Sequence, residues 1–253
     1  MTINREKQPL TEKLKAGLAP PLYFVAILIL AYVVLFVFPE TVRFRMGILP
    51  RSFGGLPGVF LHPFWHLSAR HLFCNALAIV ILGWFISLRS RKMLLIVTAA
   101  SWLGGGVMLW MVGRPLTVVG GASSIVYGYL GFILLHGIFE RSLVSIALSL
   151  VALLFFHDSL FGLLSLQTYP AMEVALPSSI YVSWEGHLCG FLAGAVCAFF
   201  TARREKEQKP KPVKKETPRE QAEKILFSDE EVVDPREKII DRELAAIKRK
   251  VGK

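Results

Sequence analysis

Residues 120–139 read GGASSIVYGYLGFILLHGIF, a run that contains no Asp, Glu, Lys or Arg. A helix of about 20 mainly apolar residues is long enough to cross the hydrocarbon core of a bilayer. Similar apolar runs recur along the chain, which predicts an all-α fold, a polytopic membrane bundle of six transmembrane helices. The six predicted spans are Leu22–Phe38, Leu72–Leu88, Met93–Val112, Ser123–Phe139, Leu143–Phe156 and Glu185–Thr201.

The composition agrees with a membrane protein and excludes an ordinary soluble enzyme. Of the 253 residues, 53% are hydrophobic and 19% are charged, and the mean hydropathy is +0.50. Soluble domains usually carry about 25% charged residues. The charge is concentrated near the end of the chain, where residues 201–253 hold 16 of the 29 Lys and Arg and 12 of the 19 Asp and Glu.

This charge distribution predicts four regions. A basic N-terminal segment (residues 1–20) precedes the membrane domain (residues 21–201), and a charged flexible linker (202–233) leads to a short amphipathic basic helix (234–253). That last helix begins with an Asp N-cap followed by Pro, and one narrow apolar stripe runs along it. It is either a surface helix that aids solubility or one that docks on the inner leaflet or on a partner protein.

Basic residues predict the orientation, because cytoplasmic loops are enriched in Lys and Arg. Residues 89–92 and Arg141 lie on the same side as the basic N-terminus and tail, whereas residues 158–184 contain no Lys or Arg and are expected outside. Both termini are therefore expected in the cytoplasm, and the membrane is expected to be a bacterial inner membrane. The excess of basic residues flanks the apolar spans, so the pI of about 9.7 is attributed to contact with the lipid bilayer. Binding to nucleic acid is not expected.

Polar residues inside the spans are the candidates for function, because each costs free energy in hydrocarbon. Ser123 opens the fourth span in a Gly-x-Ser turn, where free helix N–H groups can stabilise an oxyanion. Tyr127 lies one turn later on the same face. The small residues here, such as Ser124 and Gly128, are equally typical of close helix packing.

Two further clusters open the sixth and second spans. His187, Gly190 and Gly194 lie on one stripe, where the histidine either reaches a neighbouring helix or simply bonds a carbonyl. His71 and Asn75 lie one turn apart and are neutral hydrogen-bond donors. A metal site is not expected at His62, His66 and His71, because no acidic ligand is near and no HExxH motif occurs.

Together these residues can make up an acyl-transfer site. The second, fourth and sixth spans all begin at the outer face, which brings a serine, a histidine and two neutral donors to the same ends of their helices. These are a nucleophile, a general base and oxyanion stabilisers. Glu185 lies two residues from His187 and points off its face, so a Ser-His dyad without an acid is expected.

The motifs HxxxN (His71 to Asn75), GxSxxxxG (Gly121 to Gly128) and HxxGxxxG (His187 to Gly194) resemble those of the rhomboid family of intramembrane serine proteases over about residues 20–200. The resemblance implies that Ser123 is the nucleophile and His187 its base, and that Tyr127 packs against the His187 ring. It also implies that His71 and Asn75 join the Ser123 backbone N–H in the oxyanion hole. The implied substrates are single-span membrane proteins cut near the outer face, with no metal or nucleotide cofactor.

The chain departs from the family pattern at three places. Ser124 stands where Gly usually follows the nucleophile, Gly186 replaces an Ala before His187, and no Trp-Arg pair occurs in the first outer loop, where Trp65 stands near His66. Two other functions remain open: an inactive rhomboid-like binder or escort of client helices, and a small transporter or channel. Residues 158–182 are a candidate cap over the site.

Overall fold

The computed structural model describes residues 9–140, 143, 147, 183–208, 217, 220, 242–245 and 247. In these residues the fold is all-helical, as predicted, and the one β-type contact is an isolated bridge between Ile48 and Val119. The helices are α1 (Leu10–Phe36), α2 (Glu40–Phe44), α3 (Leu56–Leu61), α4 (Ala69–Arg89), α5 (Arg91–Ala99), α6 (Gly105–Val112), α7 (Ser123–Glu140) and α8 (Trp184–Gln208). Short 3₁₀ turns at Phe53–Gly55 and His62–Phe64 flank α3, and a π-helical turn at Ala100–Gly104 joins α5 to α6.

Five helices of the described part are long and apolar enough to cross a membrane: Leu10–Phe36, Ala69–Arg89, Arg91–Val112, Ser123–Glu140 and Trp184–Glu205. They correspond to five of the six predicted spans. The remaining predicted span (Leu143–Phe156) lies outside the described residues except for Leu143 and Ala147. The candidate cap and most of the charged tail also lie outside them. The chain divides into two units, residues 1–208 and 209–253.

Helix α1 begins at Leu10, twelve residues before the predicted start of the first span. It continues through Pro20 and Pro21, which have no N–H to donate to the carbonyls four residues earlier. The carbonyl of Ala16 would be left unpaired by Pro20, and the Arg91 guanidinium donates to it at 2.7 Å. Arg91 therefore compensates for a proline that the sequence alone would place at a helix end.

Glycines let α7 and α8 cross in backbone contact. A Cβ at Gly190 would overlap the Ser124 carbonyl, and one at Gly194 would overlap the Gly128 carbonyl. Gly131 in turn lies against the Phe191 carbonyl. Because the contact begins near the N-termini of both helices, it brings Ser123 and His187 to the same end of the bundle.

The core is apolar, and α7 runs through it. Its fully buried side chains come from α1, α4, α5, α7 and α8, among them Leu28, Ile79, Val97, Ile125 and Ala198. The outward face of α1 exposes Leu30, Val33 and Phe36, the pattern of a helix whose outer side faces lipid.

Candidate active site

A tight turn before α7 presents Ser123. Gly121 has φ of +111°, a conformation that favours glycine, and its N–H donates to the His62 carbonyl at 2.8 Å. A Cβ at this position would lie 2.6 Å from Cε1 of His71. The next N–H, that of Ala122, donates to Nε2 of His66 at 3.3 Å. The loop before α4 thus sets the shape of the turn.

Trp65 packs beneath the same turn. Its side chain is buried and lies where a Cβ at Gly120 or Gly47 would be, and it makes an edge contact with Phe44 at 5.3 Å between ring centroids. This tryptophan, noted in the sequence because no Trp-Arg pair occurs, is therefore a core residue of the first loop.

The first residue of α7, Ser123, faces a cavity of about 240 Å³. His71 from α4 and His187 from α8 line the same cavity, together with Leu67, Ser68, Val118, Val119, Gly120 and Ser183. Three of the four residues with predicted chemical roles are therefore brought to one cavity wall. The cavity also lies at the N-terminus of α7, where the first N–H groups have no carbonyl partner within the helix.

The His187 ring is held by stacking. The Tyr127 ring lies parallel to it, with centroids 4.0 Å apart and planes inclined by 11°. Within the described residues no hydrogen bond joins the Ser123 hydroxyl to the His187 ring. Such contacts between a nucleophile and its base are often long without substrate and shorten when substrate binds.

The two predicted oxyanion donors differ in their surroundings. Ser68 caps α4 by accepting the His71 N–H at 3.1 Å, which fixes the start of the helix one turn before Asn75. Asn75 is 7% exposed, and among the described residues its Nδ2 has no hydrogen-bond partner. A buried unpaired donor costs free energy, so this amide is available for an acceptor that arrives later. Asn75 is not among the residues that line the cavity.

The Ser124 hydroxyl makes a structural hydrogen bond to the His62 ring. The Nδ1 atom of His62 lies 3.1 Å from the carbonyls of both Gly58 and Val59, so it must carry the proton. The Nε2 atom then accepts the Ser124 hydroxyl at 3.0 Å. From the sequence, His62 was interpreted only as a candidate metal ligand, and this contact was not predicted.

His62 and His66 are neutral side chains that support the turn. Burial lowers the pKa of His62 to about 4, and burial together with the nearby His71 and His62 lowers the pKa of His66 to about 3. His62 uses both ring nitrogens for hydrogen bonds and His66 uses Nε2. Three of their four ring nitrogens therefore serve the loop and the turn.

Ligand atoms that could meet at a metal lie at the opposite end of α7. One donor atom each of His136, Glu140 and Glu205 lies within 4.8 Å of the others. Arg89 already binds both carboxylates. A guanidinium thus supplies the positive charge that this acidic pair attracts.

Glu185 has partners that the sequence did not reveal. Arg114, in the loop after α6, donates from Nε to its Oε1 at 2.5 Å, and the Ser183 hydroxyl donates to its Oε2 at 3.1 Å. The carboxylate is buried, with 7% of the residue exposed. Its two oxygens accept hydrogen bonds from these donors.

Comparison with known proteins gives a family match. Residues 54–204 match the model of the Rhomboid domain. Two uncharacterised proteins, from Mycobacterium tuberculosis and Mycobacterium bovis, are each 33% identical over 166 residues, which cover 64% of this chain and 65% of theirs. An uncharacterised protein of Mycobacterium leprae is 29% identical over 155 residues, covering 59% of this chain and 58% of its own. The match therefore spans less than two thirds of the length of these relatives.

Proposed function

Because the chain belongs to the rhomboid family, as the match over residues 54–204 shows, we propose that it is an intramembrane serine endopeptidase that cleaves transmembrane segments of membrane proteins. One observation carries the proposal: Ser123, His71 and His187 line a single cavity at the N-terminus of α7. The family and the apolar helices make it an integral multi-pass membrane protein. The proposed membrane is a bacterial inner membrane, with both termini cytoplasmic and cleavage near the outer face.

The proposed first step forms an acyl-enzyme. His187 takes the proton of the Ser123 hydroxyl while Oγ bonds to the scissile carbonyl carbon, whose oxygen becomes an oxyanion. His187 then gives that proton to the leaving amine, the C–N bond breaks, and the ester on Ser123 remains. Tyr127 supports this step, since a ring stacked at 4.0 Å keeps the imidazole in one orientation.

Three donors are proposed to hold the oxyanion: the Ser123 backbone N–H, His71 and Asn75. Charge that develops only in the transition state is best stabilised by donors already in place. The unpaired Nδ2 of Asn75 fits this role, because the structure gives it no acceptor among the described residues. Water then attacks the ester, with His187 as base, and restores the serine.

The substrates proposed for this site are single-span membrane proteins that enter from the bilayer. No nucleic acid and no cofactor takes part in the proposed reaction, because a serine, a histidine and neutral donors are sufficient for acyl transfer. The amphipathic helix predicted from the sequence for residues 234–253 is proposed to contact the inner leaflet or a partner protein.

Labelling with a fluorophosphonate tests this function directly. The detergent-purified protein is incubated with the probe, and the adduct is mapped by mass spectrometry in wild type, Ser123→Ala and His187→Ala. We expect an adduct on Ser123 in wild type and none in either variant. An adduct on Ser124 would move the nucleophile by one residue. Folded wild type without any adduct would contradict the proposal and favour an inactive binder of client helices.

A further inference from the structure

An ion pair joins the two segments that carry Ser123 and His187. Arg114 stands near the start of the loop that ends at Ser123, and Glu185 lies in the first turn of α8. Besides the Nε contact at 2.5 Å, Nη2 of Arg114 lies 3.4 Å from Oε2 of Glu185. The Glu185 side chain is 9% exposed and that of Arg114 is 42% exposed. The carboxylate is therefore shielded from the solvent that weakens most surface ion pairs.

The pair acts on the opposite side of α8 from the stacked tyrosine. His187 follows Glu185 by two positions, which corresponds to about 200° of rotation around a helix of 3.6 residues per turn. Tyr127 contacts the His187 ring on one side of this first turn, and Arg114 holds Glu185 on the other. Contacts on two sides fix the rotation of the turn about its axis.

Ser183 connects the pair to the cavity. Its hydroxyl donates to Oε2 of Glu185 and also accepts the Gly186 N–H, both at 3.1 Å, so it caps α8. Ser183 is itself a residue of the cavity wall. A change at Glu185 is thus passed to the cap of the helix that carries His187.

The loop between Arg114 and Ser123 is held firmly enough to transmit the contact. The Thr117 hydroxyl donates to the Arg114 carbonyl at 2.7 Å, and Val119 exchanges two backbone hydrogen bonds with Ile48 at 2.8 and 2.9 Å. Val119 also lies 3.6 Å from the position of a Cβ at Gly186. The loop that carries Arg114 is therefore itself held in place close to the start of α8.

We propose that Glu185 is a positioning residue whose ion pair with Arg114 sets the distance between the Ser123 hydroxyl and the His187 imidazole. The inference rests on the proposed function, since it assigns the pair to the same dyad. Glu185 touches no reacting atom; it acts by fixing the first turn of α8 against the loop that leads to Ser123. Rates are sensitive to such placement, because a displacement of about 1 Å can cost roughly a hundredfold.

The test measures the rate of fluorophosphonate labelling at Ser123 in Glu185→Gln, Arg114→Gln and the double variant. We expect the maximal labelling rate to fall roughly tenfold or more in each single variant, with the half-saturating probe concentration unchanged. The double variant is expected to label no more slowly than the slower single variant, because both substitutions break the same ion pair. The final extent of labelling counts the folded sites, so a loss of folded protein alone would lower the extent and leave the rate unchanged.

Glu140→Gln is the matched control. It breaks the ion pair between Arg89 and Glu140, which links α4 to α7 at the other end of the bundle, and we expect labelling at the wild-type rate. Wild-type rates in Glu185→Gln, losses that multiply in the double variant, or an equal loss in Glu140→Gln would each overturn the inference and leave the proposed function intact. Failure of wild type to label at Ser123 would overturn the proposed function, and the inference with it.

Discussion

The Ser124 hydroxyl donates to Nε2 of His62 at 3.0 Å, so a buried hydrogen bond ties the first turn of α7 to the 3₁₀ turn before α4. Ser124 is 4% exposed and His62 is 1% exposed. The residue next to the proposed nucleophile is therefore part of the scaffold that holds the turn. Its hydroxyl is directed at a neutral imidazole whose other nitrogen is fixed by two carbonyls.

This bond predicts that Ser124→Ala is destabilised but still active. Removing the hydroxyl leaves Nε2 of His62 buried without a donor, a loss of about 1–3 kcal/mol of unfolding free energy. Labelling of Ser123 should continue at a rate within a fewfold of wild type. Thermal unfolding in detergent and fluorophosphonate labelling measure the two effects separately. Folded Ser124→Ala that fails to label would show that this hydroxyl takes part in the chemistry.

Substitution of Asn75 is expected to have the opposite effects, leaving stability unchanged or higher while lowering the rate of cleavage. Replacing it by Leu, which is similar in volume, removes a buried amide whose Nδ2 has no partner among the described residues, so stability should be unchanged or higher. The rate of cleavage should nevertheless fall, because one oxyanion donor contributes about 2.7–4 kcal/mol to transition-state stabilisation. Asn75→Ala should be slow but measurable, in contrast to Ser123→Ala.

The measurement is kcat for one membrane-protein substrate in detergent, alongside the unfolding temperature of the same samples. A variant at Asn75 that keeps wild-type kcat would remove this residue from the oxyanion hole. A variant that loses kcat and unfolds at a lower temperature would show that Asn75 mainly supports the fold.

Hydropathy and local motifs were sufficient to predict the all-helical fold and the helices that carry the site, because the length of an apolar run is a local property of the chain. The start of α1 was placed too late, since Lys13, Lys15 and Pro20 are typical of the end of a span, and the partner of the unpaired carbonyl, Arg91, is 75 residues away. The predicted fifth span (Leu143–Phe156) falls almost entirely outside the described residues and stays a prediction.

The contacts around the site could not be predicted either, because their partners are far apart along the chain. His62 and Ser124 are 62 residues apart, and Arg114 and Glu185 are 71 apart. No periodicity links such pairs, which become neighbours only after the helices pack. Sequence motifs therefore identified the proposed reacting groups but not the residues that hold them in place.

The crossing of α7 and α8 predicts a difference between glycines. Gly194→Ala should lower the unfolding free energy by about 1–3 kcal/mol, because its Cβ would overlap the Gly128 carbonyl and the helices must separate. Gly104→Ala is the matched control, since no described residue outside its own stretch of helix backbone has an atom within 4 Å of its Cβ position. Alanine there should be neutral or stabilise by up to about 1 kcal/mol. Unfolding of both variants in SDS–detergent mixtures checks the prediction, which equal destabilisation would contradict.

Because of its buried histidines, the protein is expected to lose stability as the pH is lowered from about 6.5 to about 4. In the folded state the pKa of His62 is lowered to about 4 and that of His66 to about 3, whereas both are near 6.5 when unfolded. Below pH 6.5 the unfolded chain therefore binds protons that the folded chain does not, and each histidine removes about 1.4 kcal/mol of stability per pH unit. Above pH 6.5 neither state is protonated and this effect vanishes.

The comparison of pH 6.5 with pH 5 separates histidines from carboxyl groups, most of which titrate near pH 4. The unfolding temperature of wild type should fall across this interval. His62→Gln, which keeps a polar group near Ser124, should show a smaller fall than wild type, because one of the buried histidines is gone. A wild-type unfolding temperature that is constant or rises from pH 6.5 to pH 5 would show that His62 and His66 accept protons in the folded state. Those protons would then have to displace the hydrogen bonds that Ser124 and Ala122 donate to the same ring nitrogens.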